Sequence, residues 1–150
     1  MPTHAVPTYE DAQLVLKLYE LRREEKLRAA REWFTGKFFP QTAENVTALT
    51  GTENVYYRMV TTYWEMAASF VARGVVNADL FLDSGGEMIL VWAKLAEFVP
   101  QLRKNLGSEN LLKNVEHVIE SSPRAKERVG VMRQRIAQVR ARALAAAAKA

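Results

Sequence analysis

Six consecutive apolar residues, Met88-Ile89-Leu90-Val91-Trp92-Ala93, constrain the fold more than any other feature of the chain. At about 100° per residue they wrap more than once around a helix and leave it no solvent-facing side, so other elements must enclose it. The segment 53–73 is nearly as apolar. Its polar residues, Arg58, Thr61, Thr62, Glu65, Ser69 and Arg73, form only a narrow strip, while Val55, Tyr56, Tyr57, Met59, Val60, Tyr63, Trp64, Met66, Ala67, Phe70 and Val71 cover well over half the circumference. Two central helices are therefore expected, packed on each other, with a long helix over 9–34 laid across them.

Helix punctuation recurs along the whole chain, and strictly alternating strand patterns are scarce. Thr8 and Asp11 have the form of a capping box opening the 9–34 helix, which Gly36 and Pro40 close. Thr42 caps a short helix through Leu49, and Thr52 caps the helix over 53–73, ended by Gly74. Asn77 starts a short turn over 78–83. Ser84 and Glu87 match a second capping box, predicting a helix through Val99 that Pro100 kinks or ends. Gly107 and Ser108 precede a helix over 109–120, and Ser122-Pro123 opens the last one, 123–148. No internal repeat has a fixed period. The expected fold class is all-α: a helical bundle of five or six helices with a long basic amphipathic C-terminal helix. Its organisation is an N-terminal extension over 1–8, a helical domain over 9–122 and the basic helix over 123–150. One core suits 150 residues of which 49% are hydrophobic.

Within 9–34 the run Arg22-Arg23-Glu24-Glu25-Lys26 puts charge on every side of a helix. A solvated stretch reinforced by i,i+4 pairs such as Glu24 with Arg28 accounts for it. A sharper alternative has Arg22 or Arg23 reaching Glu65 in a buried pair.

Most catalytic chemistry lacks its residues. There is no cysteine, hence no disulfide, thiolate ligand or cysteine nucleophile. The first ten residues show no secretory pattern, and the 88–99 stretch, interrupted by Lys94 and Glu97, is far short of the roughly 20 residues of a membrane span, so a cytoplasmic protein is expected. The two histidines, His4 and His117, stand outside any Glu-x-x-His or His-x-x-x-His spacing. Neighbours Glu116, His117 and Glu120 do not all converge on one ion, because adjacent helical positions point about 100° apart. Neither metal nor cofactor is expected. No phosphate-binding loop, dinucleotide fingerprint or nucleophile elbow occurs, and Gly85-Gly86, whose free N–H groups at a helix start would suit an anion, lacks a nearby Lys or a preceding strand and is explained by a flexible entry to the capping box. Glu65, on a mostly apolar helix beside Arg58, is the best lone candidate for a pocket carboxylate, with Arg58, Ser69 and Arg73 as ordinary partners. The aromatic cluster Trp33 to Pro40 either plugs the end of the core or anchors a partner.

The formal charge of +4 divides unevenly. Residues 124–150 hold eight of the 21 basic residues and one of the 17 acids, a net +7, and the remaining 13 bases and 16 acids leave the rest at −3. In the same segment Ala125, Val129, Met132, Ile136, Val139, Ala143 and Ala146 alternate at spacings of four and three, the a/d repeat of a packing seam. Lys126, Arg133 and Arg140 fall at e, and Arg128, Arg135, Arg142 and Lys149 at g. A parallel homodimeric zipper would set these rows against each other and is electrostatically disfavoured.

The seam should meet an acidic surface: the protein's own body, a protein partner or phosphate groups. No aromatic interleaves the arginines to stack a base, and only Leu144 with small aliphatics offers a membrane anything to bury. Protein contact therefore ranks first, nucleic acid second and membrane last. The expected function is a non-enzymatic accessory or assembly subunit that binds an acidic protein through Lys126, Arg128, Val129, Met132, Arg133, Arg135, Ile136, Val139, Arg140 and Arg142. The alternatives are a nucleic-acid-binding protein using the same arginines and a small-molecule binder or enzyme with a pocket near Glu65.

The segments Leu18 to Glu24, Tyr57 to Ala67 and Glu87 to Pro100 carry a resemblance. Over most of 9–122 the chain resembles small helical bacterial proteins grouped as a domain of unknown function. The resemblance implies a mainly helical bacterial protein and brings no activity, ligand or site residue with it.

Overall fold

The computed structural model describes residues 6–150, so His4 lies outside the described residues. Among these the chain forms nine helices and no strand: α1 (Tyr9–Leu21), α2 (Glu25–Gly36), α3 (Ala43–Thr47), α4 (Gly51–Ala72), α5 (Ala78–Ser84), α6 (Gly86–Leu95), α7 (Val99–Leu106), α8 (Lys113–Glu120) and α9 (Pro123–Ala148). The fold is an all-α bundle with a long C-terminal helix. Its helices outnumber the expected five or six because the 9–34 segment breaks in two, the short turn over 78–83 is itself a helix, and a further helix, α7, follows the early end of α6.

The first break falls in the charged run. The expected 9–34 helix ends at Leu21, and Glu24 starts a new one by accepting the backbone N–H groups of Lys26 and Leu27 at 3.1 and 2.9 Å. Those two bonds hold the Glu24 carboxyl below its ordinary range. The second break separates α6 from α7, with Pro100 in the first turn of α7 and Gly107, at φ +61°, closing it. The Ser84–Glu87 capping box does not form: α5 continues through Ser84, Gly85 precedes α6, and the Glu87 carboxylate is drawn elsewhere. Helix α4 begins at Gly51, ahead of the expected cap Thr52. Helix α8 begins at Lys113 rather than 109, because Leu112, buried and at φ +53°, turns the chain just before it.

Both apolar segments take central places. No residue of α6 is exposed, and Val60, Tyr63, Trp64, Ala67, Ala68 and Val71 of α4 are buried. Their backbones pack chiefly on other helices, although Trp64 of α4 donates directly to Glu87 of α6. Helix α4 lies chiefly against α2 and α8, and α6 against α9 and α8, so α8 is the neighbour the two share. The aromatic cluster is a plug: Phe34 and Phe38 are buried, and Trp33 stacks on Phe38 with ring centroids 4.8 Å apart.

Two acids tie the layers together. Asp11 completes the Thr8 capping box and accepts the backbone N–H of Asn77 at 2.9 Å, joining α1 to the start of α5. Glu87, its side chain 9% exposed, accepts Arg31 Nε at 2.8 and 3.0 Å and Trp64 Nε1 at 2.9 Å, with Arg22 Nη2 3.7 Å away. The Arg22 guanidinium lies 5.1 Å from the Trp64 ring centroid. The buried partner of Arg22 is thus Glu87 and not Glu65, since Glu87 sits opposite the break that delivers Arg22.

Candidate functional site

Helix α9 starts where Ser122 accepts the N–H of Ala125 and Pro123 takes the first helical position, as the sequence predicts. Its first half belongs to the body. Ala125, Val129 and Ile136 are buried and Met132 is half-buried, with α9 packed against α6 and α8. At its start Arg124 pairs with Asp83 at 2.5 Å and Arg128 Nη1 donates to Leu82 O at 2.6 Å, both just ahead of α6. At the other end Arg140 donates to Pro40 O, and Arg133, Ile136, Ala137 and Arg140 line a cleft of about 190 Å³ with Ala93 and Glu97. Helices α6 and α9 therefore run in the same direction.

The seam then leaves the body. Val139 is 44% exposed, and every residue from 141 to 150 is exposed. Of the ten residues singled out in the sequence, Val129 and Ile136 serve intramolecular packing. Lys126 pairs with Glu120 at 3.1 Å, and Arg128 and Arg140 hold backbone carbonyls. Arg133, Arg135 and Arg142 are exposed and make no ion pair or hydrogen bond among the described residues. The basic rows are thus shared: one part fastens α9 down, the other faces solvent.

Beneath the docked end lies a group that the sequence reading passed over. Lys94 is 1% exposed, and its Nζ donates to Phe34 O at 2.6 Å, Phe38 O at 2.7 Å and Thr35 O at 3.2 Å, 3.8 Å from the centroid of the Phe39 ring. Three acceptors match the three protons of an ammonium, and two of them belong to the last turn of α2, where a helix dipole favours a cation. Burial, and secondarily the Arg140 guanidinium, pull the Lys94 pKa down to about 7. The signal for both Lys94 and Glu87 was available: a charged residue on a helix without a solvent face has nowhere else to go.

Glu65 acts at a distance from α9. Its Oε1 accepts the backbone N–H and the side-chain amide of Asn114, each at 2.8 Å, and its Oε2 accepts the N–H of Val115 at 3.1 Å. It therefore supplies to α8 the cap that Leu112 lacks. Its expected partners Arg58 and Arg73 are exposed and make no bond to it. His117 is exposed, in a cleft of about 370 Å³ with Asp79, Ser121 and Ser122. Among the described residues no three His, Asp or Glu side chains gather as a metal site, and no helix is long and apolar enough to cross a membrane.

A family model described as Domain of unknown function (DUF4760) matches residues 7–122, most of the chain, and the chain belongs to that family. No curated protein and no solved structure matches it. The family match ends at residue 122, just before α9 begins.

Proposed function

We propose that this family member is a non-enzymatic accessory or assembly subunit of the bacterial cytoplasm, and that α9 is its contact to an acidic protein surface. One observation carries the reading: the apolar seam of α9 outlasts the body it packs on. Val129 and Ile136 are buried, whereas Val139, Ala143 and Ala146 continue the same spacing in the open, flanked by the exposed Arg135 and Arg142. A stripe of small aliphatics between arginines favours a protein surface, since α9 has no aromatic to stack on a base.

The test separates the free half from the docked half. Deleting all of 124–150 would strip Ala125, Val129 and Ile136 from the core, so the informative variant ends at Arg140. It should unfold as cooperatively as the full chain yet lose an acidic partner that the full chain captures at low salt and releases at high salt. Equal capture by both would refute the proposal. Titration of DNA and RNA at two salt concentrations supplies the control: tight, steeply salt-dependent binding through α9 would transfer the helix to phosphate recognition.

A further inference from the structure

Beside the α6–α9 contact runs a groove of about 400 Å³, on the opposite side of α9 from the Arg140 cleft. Its floor is aliphatic: Ile89 of α6 with Met132 and Val131 of α9, the last 43% exposed although it is a large apolar residue. Its α9 wall carries Arg124, Arg128 and Arg135, with Glu127 as the acid among them. The three arginines are not equivalent. Arg124 is neutralised by Asp83, Arg128 spends one Nη on Leu82 O and keeps its remaining donors, and Arg135 has no partner among the described residues. Arg128 and Arg135, both with spare donors, are seven residues apart, which sets their Cα atoms about 10.5 Å apart along the helix on either side of Val131 and Met132.

We infer that this groove takes an acidic amphipathic helix of the protein partner, with carboxylates at i and i+7 on Arg128 and Arg135 and an aliphatic side chain at i+3 or i+4 over Val131 and Met132. The inference rests on the reading of α9 as an interaction helix and adds, on its docked half, a contact separate from the one its free half makes beyond Arg140. The spacing argues for a helix, because 3.6 residues per turn brings i, i+3, i+4 and i+7 to one face. The chemistry argues for protein, because an aliphatic strip between cations gives a nucleic acid nothing to pack on. Gly86 also borders the groove, and α6 begins without a side-chain cap, so its first turn adds positive potential to that of the arginines.

The probe is a fluorescently labelled helical peptide built on Glu-x-x-Leu-x-x-x-Glu with alanine and glutamine spacers, titrated by anisotropy into the full-length protein at two salt concentrations. The expected result is salt-sensitive binding weakened roughly tenfold by Arg135→Glu, and likewise by replacing the peptide leucine with serine, but unchanged by Arg142→Glu. A peptide with lysine at the matching position should recover affinity for the Arg135→Glu protein. Both substituted arginines are exposed and unpaired, so folding is preserved. Loss of binding in Arg142→Glu but not in Arg135→Glu would overturn the groove while leaving the interaction reading of α9 intact. Absence of peptide binding overturns the groove, and capture of a single-stranded oligonucleotide in its place overturns both readings.

Discussion

Replacing Glu87 with alanine removes the acceptor shared by Arg31 and Trp64 and the nearest carboxylate to Arg22. The Arg22 and Glu87 side chains are 14% and 9% exposed, so the perturbation leaves a guanidinium and an indole N–H without partners in a largely dry site. Breaking such a buried pair costs roughly 3–5 kcal/mol. The Arg31 side chain is 24% exposed and can recover some hydration, which places the expected loss near the low end, about 3 kcal/mol. For a chain of this size that is a fall in Tm of about 6–12 °C. Urea denaturation and calorimetry read the loss, with the far-ultraviolet spectrum unchanged. Glu87→Gln keeps an acceptor for Trp64 and gives up only the charge, so it should lose about half as much. A double-mutant cycle with Arg31→Ala should show coupling above about 1 kcal/mol. A loss under about 1 kcal/mol for Glu87→Ala, or additivity in the cycle, would refute the claim that this cluster joins α1, α2, α4 and α6.

Lys94 predicts an unusual pH profile. In the folded protein it releases its proton near pH 7, and in the unfolded chain only near its ordinary 10.5, so between those values the unfolded state binds more protons. Stability should therefore rise with pH above 7, by at most about 1.4 kcal/mol per unit, and Lys94→Met should flatten the rise. Above pH 10 the trend reverses, because burial pushes Tyr57 and Tyr63 up to about 12 while unfolded tyrosines ionise near 10. Denaturation midpoints from pH 6 to 9.5 for both proteins check this, and a flat wild-type profile would contradict it. On α9, Ile136→Ala should lose about 2–5 kcal/mol and Val139→Ala less than about 0.5, although both occupy the same seam. Similar losses at the two positions would mean that the boundary between docked and free helix is misplaced.

The bundle was legible because its caps are conventional where they matter. Thr8 with Asp11, Thr42, Asn77 and Ser122 each perform the capping their residue types advertise. At Glu87 a tertiary partner outbids the local pattern. Ser84 and Glu87 have the right spacing for a box, but Arg31 and Trp64 offer the carboxylate charge-assisted and buried bonds that an N-cap backbone does not match. Glu24 is not a favoured cap type, so the break between α1 and α2 left no signal in composition. Leu112 adopts a left-handed conformation that nothing in its side chain favours; its burial in the core holds it there. On α9 the charge split and the seam were readable from the chain, whereas the point at which the seam leaves the body was not. That point depends on where α6 and the 34–40 turn end beneath it.

Residue-resolved amide hydrogen exchange across α9 in the free protein locates the boundary between its docked and free halves. Amides from 129 to 136, packed on α6 and α8, should exchange only with global unfolding, while those from 142 to 148 should exchange orders of magnitude faster through fraying of an unsupported helix. Protection extending undiminished to 148 would mean that the basic tail is already covered, and would contradict the assignment of its exposed seam and arginines to a partner.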